Sequence, residues 1–272
     1  LAPDCIRRLV EETVRSNAGV VGPKLLDWDD PNRILHVGLG ADKTGHVSDL
    51  AEPGEYDQEQ HDAVRDVFAV PGAVTLLRTD LFQALEGFDE AMLVQGEDLD
   101  LCWRAHALGA RVIVNPAATA RHREDLSTRI VGADRDQFSR RHRIRSMLSN
   151  YGFAHTLRVV PQALVASMVN AMLALFQGRV SVIYDIFAAW AWNLRRLPQI
   201  RRRRKQLAKV RQVSDAEVRA LQLPGFEGLH AWRRRRADRR ADPEADPDDP
   251  ASVQAAADRR RWLHASVFTS NV

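Results

Sequence analysis

The chain has 272 residues, of which 45% are hydrophobic and 28% charged, and its formal net charge is +3. This is enough to bury one substantial core, and it excludes a collagen, a disulfide scaffold and a wholly disordered chain. The charge is unevenly placed: residues 1–150 carry 18 Lys+Arg against 25 Asp+Glu, and residues 151–272 carry 21 against 11.

Ile6, Leu9, Val10 and Val14 recur at helical spacing after Pro3 and Asp4, which predicts a first helix ending near Asn17 and Gly19. Val20-Val21 and Ile34 to Val37 are short strand candidates on either side of the polar turn Asp27 to Asn32. Residues 40–62 are polar and punctuated by Gly and Pro, which predicts a long surface loop. Val67 to Leu77, broken by Pro71-Gly72, reads as a strand entering the interior. Thr79-Asp80 then starts a short helix that stops before Gly87. Gly96 precedes the helical run "EDLDLCWRAHAL", closed by Gly109, and Arg111 to Val114 and a further extended piece to His122 follow. Strand, helix, strand in that order predicts an α/β domain for 1–150. Cys5 and Cys102 are the only cysteines; both fall in helical patterns and read as buried thiols in a reducing compartment.

Beyond residue 155 the character changes. Val159 to Phe176 is almost entirely apolar, Gln177-Gly178-Arg179 makes a turn, and Val180 to Trp192 is apolar again apart from Asp185. Interruptions by Pro161, Gln162, Ser167 and Asn170 spoil a clean bilayer span, which takes about 20 predominantly apolar residues. A two-helix hairpin lying in the membrane interface is expected, with Trp190 and Trp192 beside Arg195 and Arg196. The alternative is a buried hairpin packed on the α/β domain. Arg201 to Lys205 and Arg233 to Arg236 follow, and then "ADPEADPDDP", too poor in apolar residues to fold. The arginines raise nucleic-acid binding, but no helix-turn-helix, zinc-ligand spacing or stacking platform accompanies them. Positive charge just beyond apolar helices instead fits the cytoplasmic face of the plasma membrane and its anionic lipid, so no nucleic-acid partner is expected.

The segment most able to do chemistry is 87–122. Glu97 and Asp98 fall in the first turn of their helix, where the positive end of the dipole favours carboxylates. A Gly-led loop presenting adjacent acids there can also hold a carboxylate at a cleft edge, ready to take a proton from an attacking hydroxyl. Asp100 and Arg104, four apart, predict a supporting ion pair of the kind usually found on helix surfaces.

"VPGAVTLLRTDLFQALEGFDE", "GEDLDLCWRAHALGARVIVNPAA" and the later His122 resemble the C-terminal half of a family 2, inverting, GT-A-type glycosyltransferase, over roughly Leu1 to Tyr151. More loosely, the apolar hairpin and the basic run after it resemble large actinobacterial membrane glycosyltransferases. The resemblance implies the C-terminal half of a GT-A (Rossmann-like) α/β domain over 1–150, forming the acceptor side. A membrane-associated hairpin and basic helix over 151–212 and a largely disordered tail over 213–272 would follow. It makes Asp98 the general base, with Glu97 orienting the site or the acceptor. Gly72 and Ala73 would let backbone approach the donor sugar. His122 matches a position where some members place a ligand for a divalent cation, Mg²⁺ or Mn²⁺, with Arg121 and Arg123 able to meet phosphate. The implied donor is a nucleotide-sugar, and the acceptor is a glycan or lipid-linked hydroxyl. The family's Asp-x-Asp segment lies just upstream of a "LAPD"-like stretch, and here that stretch begins at Leu1, without Met. Asp27, Asp29 and Asp30, in a polar turn, do not replace it. The chain is therefore expected to be part of a longer protein and inactive alone. The competing expectation is a noncatalytic, basic membrane-surface binding module. Asp98 separates the two: an enzyme needs it at the floor of a cleft, and a binding module leaves it on open surface.

Overall fold

The computed structural model describes residues 1–92, 94–123 and 135–225. Helix α1 (Cys5–Ser16) leads into β1 (Val20–Asp27), followed by β2 (Ile34–His36), β3 (Leu39–Ala41), β4 (Val47–Asp49), β5 (Arg65–Asp66) and β6 (Leu76–Leu77). Helices α2 (Thr79–Ala84) and α3 (Glu97–Ala107) precede the long β7 (Val112–His122). The rest is helical: α4 (Arg135–Asn150), α5 (Phe153–Phe176), α6 (Val180–Arg195), α7 (Leu197–Val210) and α8 (Asp215–Ala220).

The main sheet runs β2-β1-β7-β5, with β6 also paired to β1. Only β1 and β7 are parallel. Their residues are buried on both faces, as parallel strands require. Alternation sorts them into two layers. Val21 and Ile113 face Cys5 and Leu9 of α1. Val20, Val112 and Val114 face the larger cluster, with Leu99 and Trp103 of α3, Met147 of α4 and Tyr151. The two extended pieces expected around Pro116 are one bulged strand. The register jumps from Pro23↔Asn115 to Lys24↔Thr119, and Asn115 closes the bulge by accepting the Ala117 N–H at 3.1 Å.

Several expectations change at this level. The long loop 40–62 contains the β3–β4 hairpin, and it is pinned at the far end by Lys24, 3% exposed, whose ammonium donates to Asp57 at 2.9 Å. The strand expected over Val67 to Leu77 keeps regular pairing only at Leu76-Leu77; Val67 to Val70 are buried but extended outside a ladder. Asp100 and Arg104 are not surface decoration. Their side chains are 0% and 5% exposed and meet at 2.7 Å, and Arg104 also donates to the carbonyls of Leu85 and Gly87. Both cysteines are free and buried. Helix α4 has no counterpart among the expected elements. Its inner face is largely polar, with His142, Arg145, Ser146, Ser149 and Asn150 buried, so no apolar period announces it.

One face of the hairpin is packed on the α/β domain, as the alternative expected, and the other is exposed. Val159, Ala163 and Ala189 join the main core, and Asn193 donates to the carbonyl of Arg141 at 2.9 Å. The opposite face carries Val165, Met168, Leu175, Phe176, Tyr184 and Phe187, all more than half exposed. Starting at Phe153, α5 has 24 residues and contains an 18-residue window of mean hydropathy 1.8, long and apolar enough to cross a membrane by length and composition. Residues 213–225, expected to belong to a largely disordered tail, are packed: α8 follows a Ser214 cap, and Val218 is 1% exposed. The Arg233–Arg236 cluster and the acidic stretch lie outside the described residues.

Candidate active site

The chain enters α3 through Gln95 and Gly96, both at positive φ (63° and 94°). A Cβ at Gly96 would also come within 3.1 Å of the His142 Cβ, so both conformation and space favour glycine there. The His142 ring Nδ1–H donates to the Gln95 carbonyl at 2.6 Å, which ties this turn to α4. The first helical residues are then Glu97 and Asp98, held at the C-terminal end of the buried segment Val67 to Val70.

Asp98 accepts two backbone hydrogen bonds, from the Leu99 N–H on Oδ1 at 2.7 Å and from the Gly72 N–H on Oδ2 at 3.1 Å. Burial pushes its carboxyl above the usual range; these N–H groups and the nearby His36 charge pull partly back. Glu97 has less help. Its Oε2 is buried without a hydrogen-bond partner. Burial first, and then the Asp98 charge, raise it from 4.5 to about 7. Both carboxyls are therefore held above their usual range, Asp98 against two backbone N–H donors and Glu97 with one oxygen unpaired.

The same shift makes a stability prediction. A carboxyl raised on folding contributes its stability fully below its unfolded pKa and loses it as the pH rises through the folded value. Between pH 5 and pH 8, Glu97→Gln should therefore gain about 2 kcal/mol on the wild type, allowing for partial exposure. Urea unfolding at the two pH values measures it. Identical pH dependence of the two proteins would remove the raised Glu97 from the account.

Asp98 lines a cavity of ≈ 360 Å³ whose walls include Val70, Gly72, Leu77, Phe82, Phe88 and Leu101. Gly72, exposed, lines it, and the neighbouring Ala73 is exposed as well. A Cβ at Gly72 would make ordinary contact, 3.6 Å from the Asp98 Cβ, so the fold itself does not demand glycine there. Cys102 also lines the cavity, but burial pushes its thiol up to about 12, and it stays protonated and inert.

His122 does not join this constellation by any bond to Asp98 or Glu97. It ends β7, in register with Asp27 at the end of β1. Among the described residues no group of three or more His, Cys, Asp or Glu could hold a metal ion.

Three participants were not visible in the sequence. His36, hydrogen-bonded to Asp49, adds its charge near Asp98. His142 holds the turn before Glu97 and Asp98. Asp89, of the "GFDE" turn, is 3% exposed and takes Arg145 at 2.7 and 3.0 Å and Arg203 at 3.3 Å. Burial pushes Asp89 up, but the Arg145 hydrogen bonds and both arginine charges outweigh it and hold the carboxyl below its usual range.

Comparison with known proteins agrees with this geometry. The chain is similar to the O-antigen biosynthesis protein RfbC of Myxococcus xanthus, 31% identical over 132 residues, covering 47% of this chain and 10% of that protein. It is also similar to the pre-mycofactocin glycosyltransferase of two Mycobacterium tuberculosis strains, 43% identical over 53 residues, covering 20% of this chain and 11% of that protein. The chain thus spans about a tenth of the length of these relatives. Residues 1–195 match the model of glycosyl transferase family group 2. A mixed α/β sheet, an acid pair at the head of a buried helix and this match over most of the chain lead to one conclusion: the protein belongs to glycosyl transferase family group 2, with a GT-A-like domain.

Proposed function

We propose that this chain supplies the acceptor side and the general base of an inverting sugar transfer. The observation that carries the reading is Asp98 at the wall of the cavity, oriented by two backbone N–H groups. An acceptor hydroxyl gives its proton to Asp98 as its oxygen attacks the anomeric carbon of a nucleotide-sugar. The bond from that carbon to the diphosphate oxygen breaks on the opposite side, and the nucleoside diphosphate leaves with the electron pair. Glu97, protonated at the start, can donate a hydrogen bond that orients the acceptor. Gly72 and Ala73 present a side-chain-poor edge to the donor sugar; since an alanine at 72 fits the fold, approach by a ligand is the reason for glycine there. A divalent cation would bear the diphosphate charge, with His122 as a candidate ligand and Arg121 and Arg123 beside it able to meet phosphate. Turnover of nucleotide-sugar by the full-length protein, compared with its Asp98→Asn variant, tests the assignment.

We further propose that the exposed face of the hairpin sits in the cytoplasmic leaflet of the plasma membrane, toward a glycan or lipid-linked acceptor. What supports this is the row of half-exposed apolar residues on α5 and α6, followed at once by Arg195, Arg196, Arg201 and Arg202. Such a face gains from apolar burial and from anionic lipid together. Trp192, with the Arg196 guanidinium 4.0 Å from its ring centre, suits the headgroup level. In flotation with phosphatidylglycerol vesicles the chain should rise with the lipid, and much less so with phosphatidylcholine alone. Leu175→Glu/Phe176→Glu, at sites 62% and 82% exposed, should lower flotation by about tenfold or more while leaving folding intact. Undiminished flotation of that variant overturns the assignment.

A further inference from the structure

The cavity beside Asp98 is poorly equipped to receive a sugar. Its walls are mainly side chains of Val70, Leu77, Leu101, Phe82 and Phe88. The two phenyl rings meet edge-on, centroids 5.5 Å apart at 67°, and Phe88 is 49% exposed. The polar groups on the wall are few: the Asp98 carboxylate, the Thr79 hydroxyl at the rim, the Thr75 hydroxyl, which donates to the Pro71 carbonyl at 2.9 Å, the Gly72 N–H, already given to Asp98, and the weakly bonding Cys102 thiol. A pyranose placed here would bring more hydroxyls than these groups can pair, and each unpaired buried hydroxyl costs about 1–3 kcal/mol. An apolar ring pays no such penalty and gains from leaving water.

Size narrows the guest further. An apolar cavity of about 150 Å³ takes one benzene, and this one is ≈ 360 Å³. We infer that the cavity binds the body of the acceptor, and that this body is an aromatic or alicyclic alcohol of one or two rings with its hydroxyl turned to Asp98. The inference rests on Asp98 being the base. The transfer then makes a glycoside of that alcohol. Its O–H proton goes to the Asp98 carboxylate, the oxygen bonds to the anomeric carbon, and the nucleoside diphosphate departs from a nucleotide-sugar donor. Phe82 and Phe88 are the specificity-determining residues: in contact with each other, they form one aromatic wall against the ring and take no part in the proton transfer.

Binding of the acceptor body needs no donor and is measured directly. The 272-residue chain is titrated with p-cresol and, separately, with methyl α-glucopyranoside, each followed by saturation-transfer NMR. The expected result is saturable binding of p-cresol and at least about tenfold weaker binding of the glucoside. Phe88→Ala, at a half-exposed position, should weaken p-cresol by about fivefold or more, the scale of one lost aromatic contact. Thr79→Trp, on the exposed first turn of α2, adds bulk at the wall and should do so independently. Glucoside binding as tight as p-cresol, no p-cresol binding, or p-cresol binding indifferent to both substitutions overturns the inference; indifference would place the probe on the hairpin face. The base assignment fails separately: p-cresol binds as described, but Asp98→Asn still turns over nucleotide-sugar.

Discussion

Asp98→Asn in the full-length protein lowers nucleotide-sugar turnover by about 10²-fold or more and leaves donor binding nearly unchanged. The size follows from the role, since a positioned general base contributes about 10²–10⁴-fold. The amide keeps the shape of the carboxylate but cannot take the acceptor proton. The site also shows what else the substitution disturbs. Both Asp98 oxygens accept backbone N–H groups, at 2.7 and 3.1 Å, and an amide must turn its NH₂ toward one of them. A loss of about 1–2 kcal/mol in folding stability is expected from that mismatch, small enough for the protein to remain folded and assayable. Unfolding and donor titration on the same sample separate this cost from catalysis. The wild type should gain activity as the pH rises to neutrality, because Asp98 must be ionised and burial delays its ionisation. Turnover within a few-fold of wild type in Asp98→Asn would falsify the assignment.

Asp89→Ala should destabilise the fold by about 3–5 kcal/mol, the usual cost of removing one partner from a buried ion pair. Arg145 is 2% exposed and Arg203 18%, so the arginine left without its carboxylate cannot recover water without opening the packing of α4 against α7. Asp89→Asn keeps the hydrogen-bond acceptor but not the charge and should fall between. The pH dependence has a definite sign. A carboxyl lowered on folding contributes stability above its unfolded pKa and loses it as the pH falls through the folded value. Acid should therefore narrow the gap between wild type and variant. Denaturant unfolding at neutral pH gives the number, and a loss below about 1 kcal/mol would show the cluster to be unimportant to the fold.

The parts of this molecule legible in the sequence are those where one local rule decides. α3 is bracketed by Gly96 and Gly109 and carries its acids in the first turn, so its limits, and the proximity of Glu97 and Asp98, follow from capping and spacing. The alternation through Val20-Val21 and Val112 to Val114 likewise marks strands. What stayed hidden depends on partners distant in sequence. Asp89 and Arg145 are 56 residues apart, and each alone reads as a surface charge. Gly72 and Asp98 are 26 apart, so the hydrogen bond that orients the carboxylate has no local signature. α4 escaped because its inward residues are charged and polar, and they can be buried only because Asp89, Asp100 and the Gln95 carbonyl receive them. The cavity is assembled from α2, α3 and the chain around Gly72, and no single segment announces it.

The packing of residues 213–225 sets where this polypeptide can be shortened. The Leu223 N–H donates to the Ala41 carbonyl at 2.9 Å, and the Tyr151 hydroxyl donates to Gln222 at 2.8 Å. Arg211 reaches back to the carbonyl of Asn150 and to Asp215. The Leu223 side chain fills the space above Gly40. A boundary drawn after α7, where the composition turns polar, would strip a clasp from the β3–β4 hairpin and uncover Tyr151, which packs edge-on against Trp103 of α3. A stable shorter form of this protein therefore ends no earlier than Leu223, in a stretch that reads as tail and packs against the core.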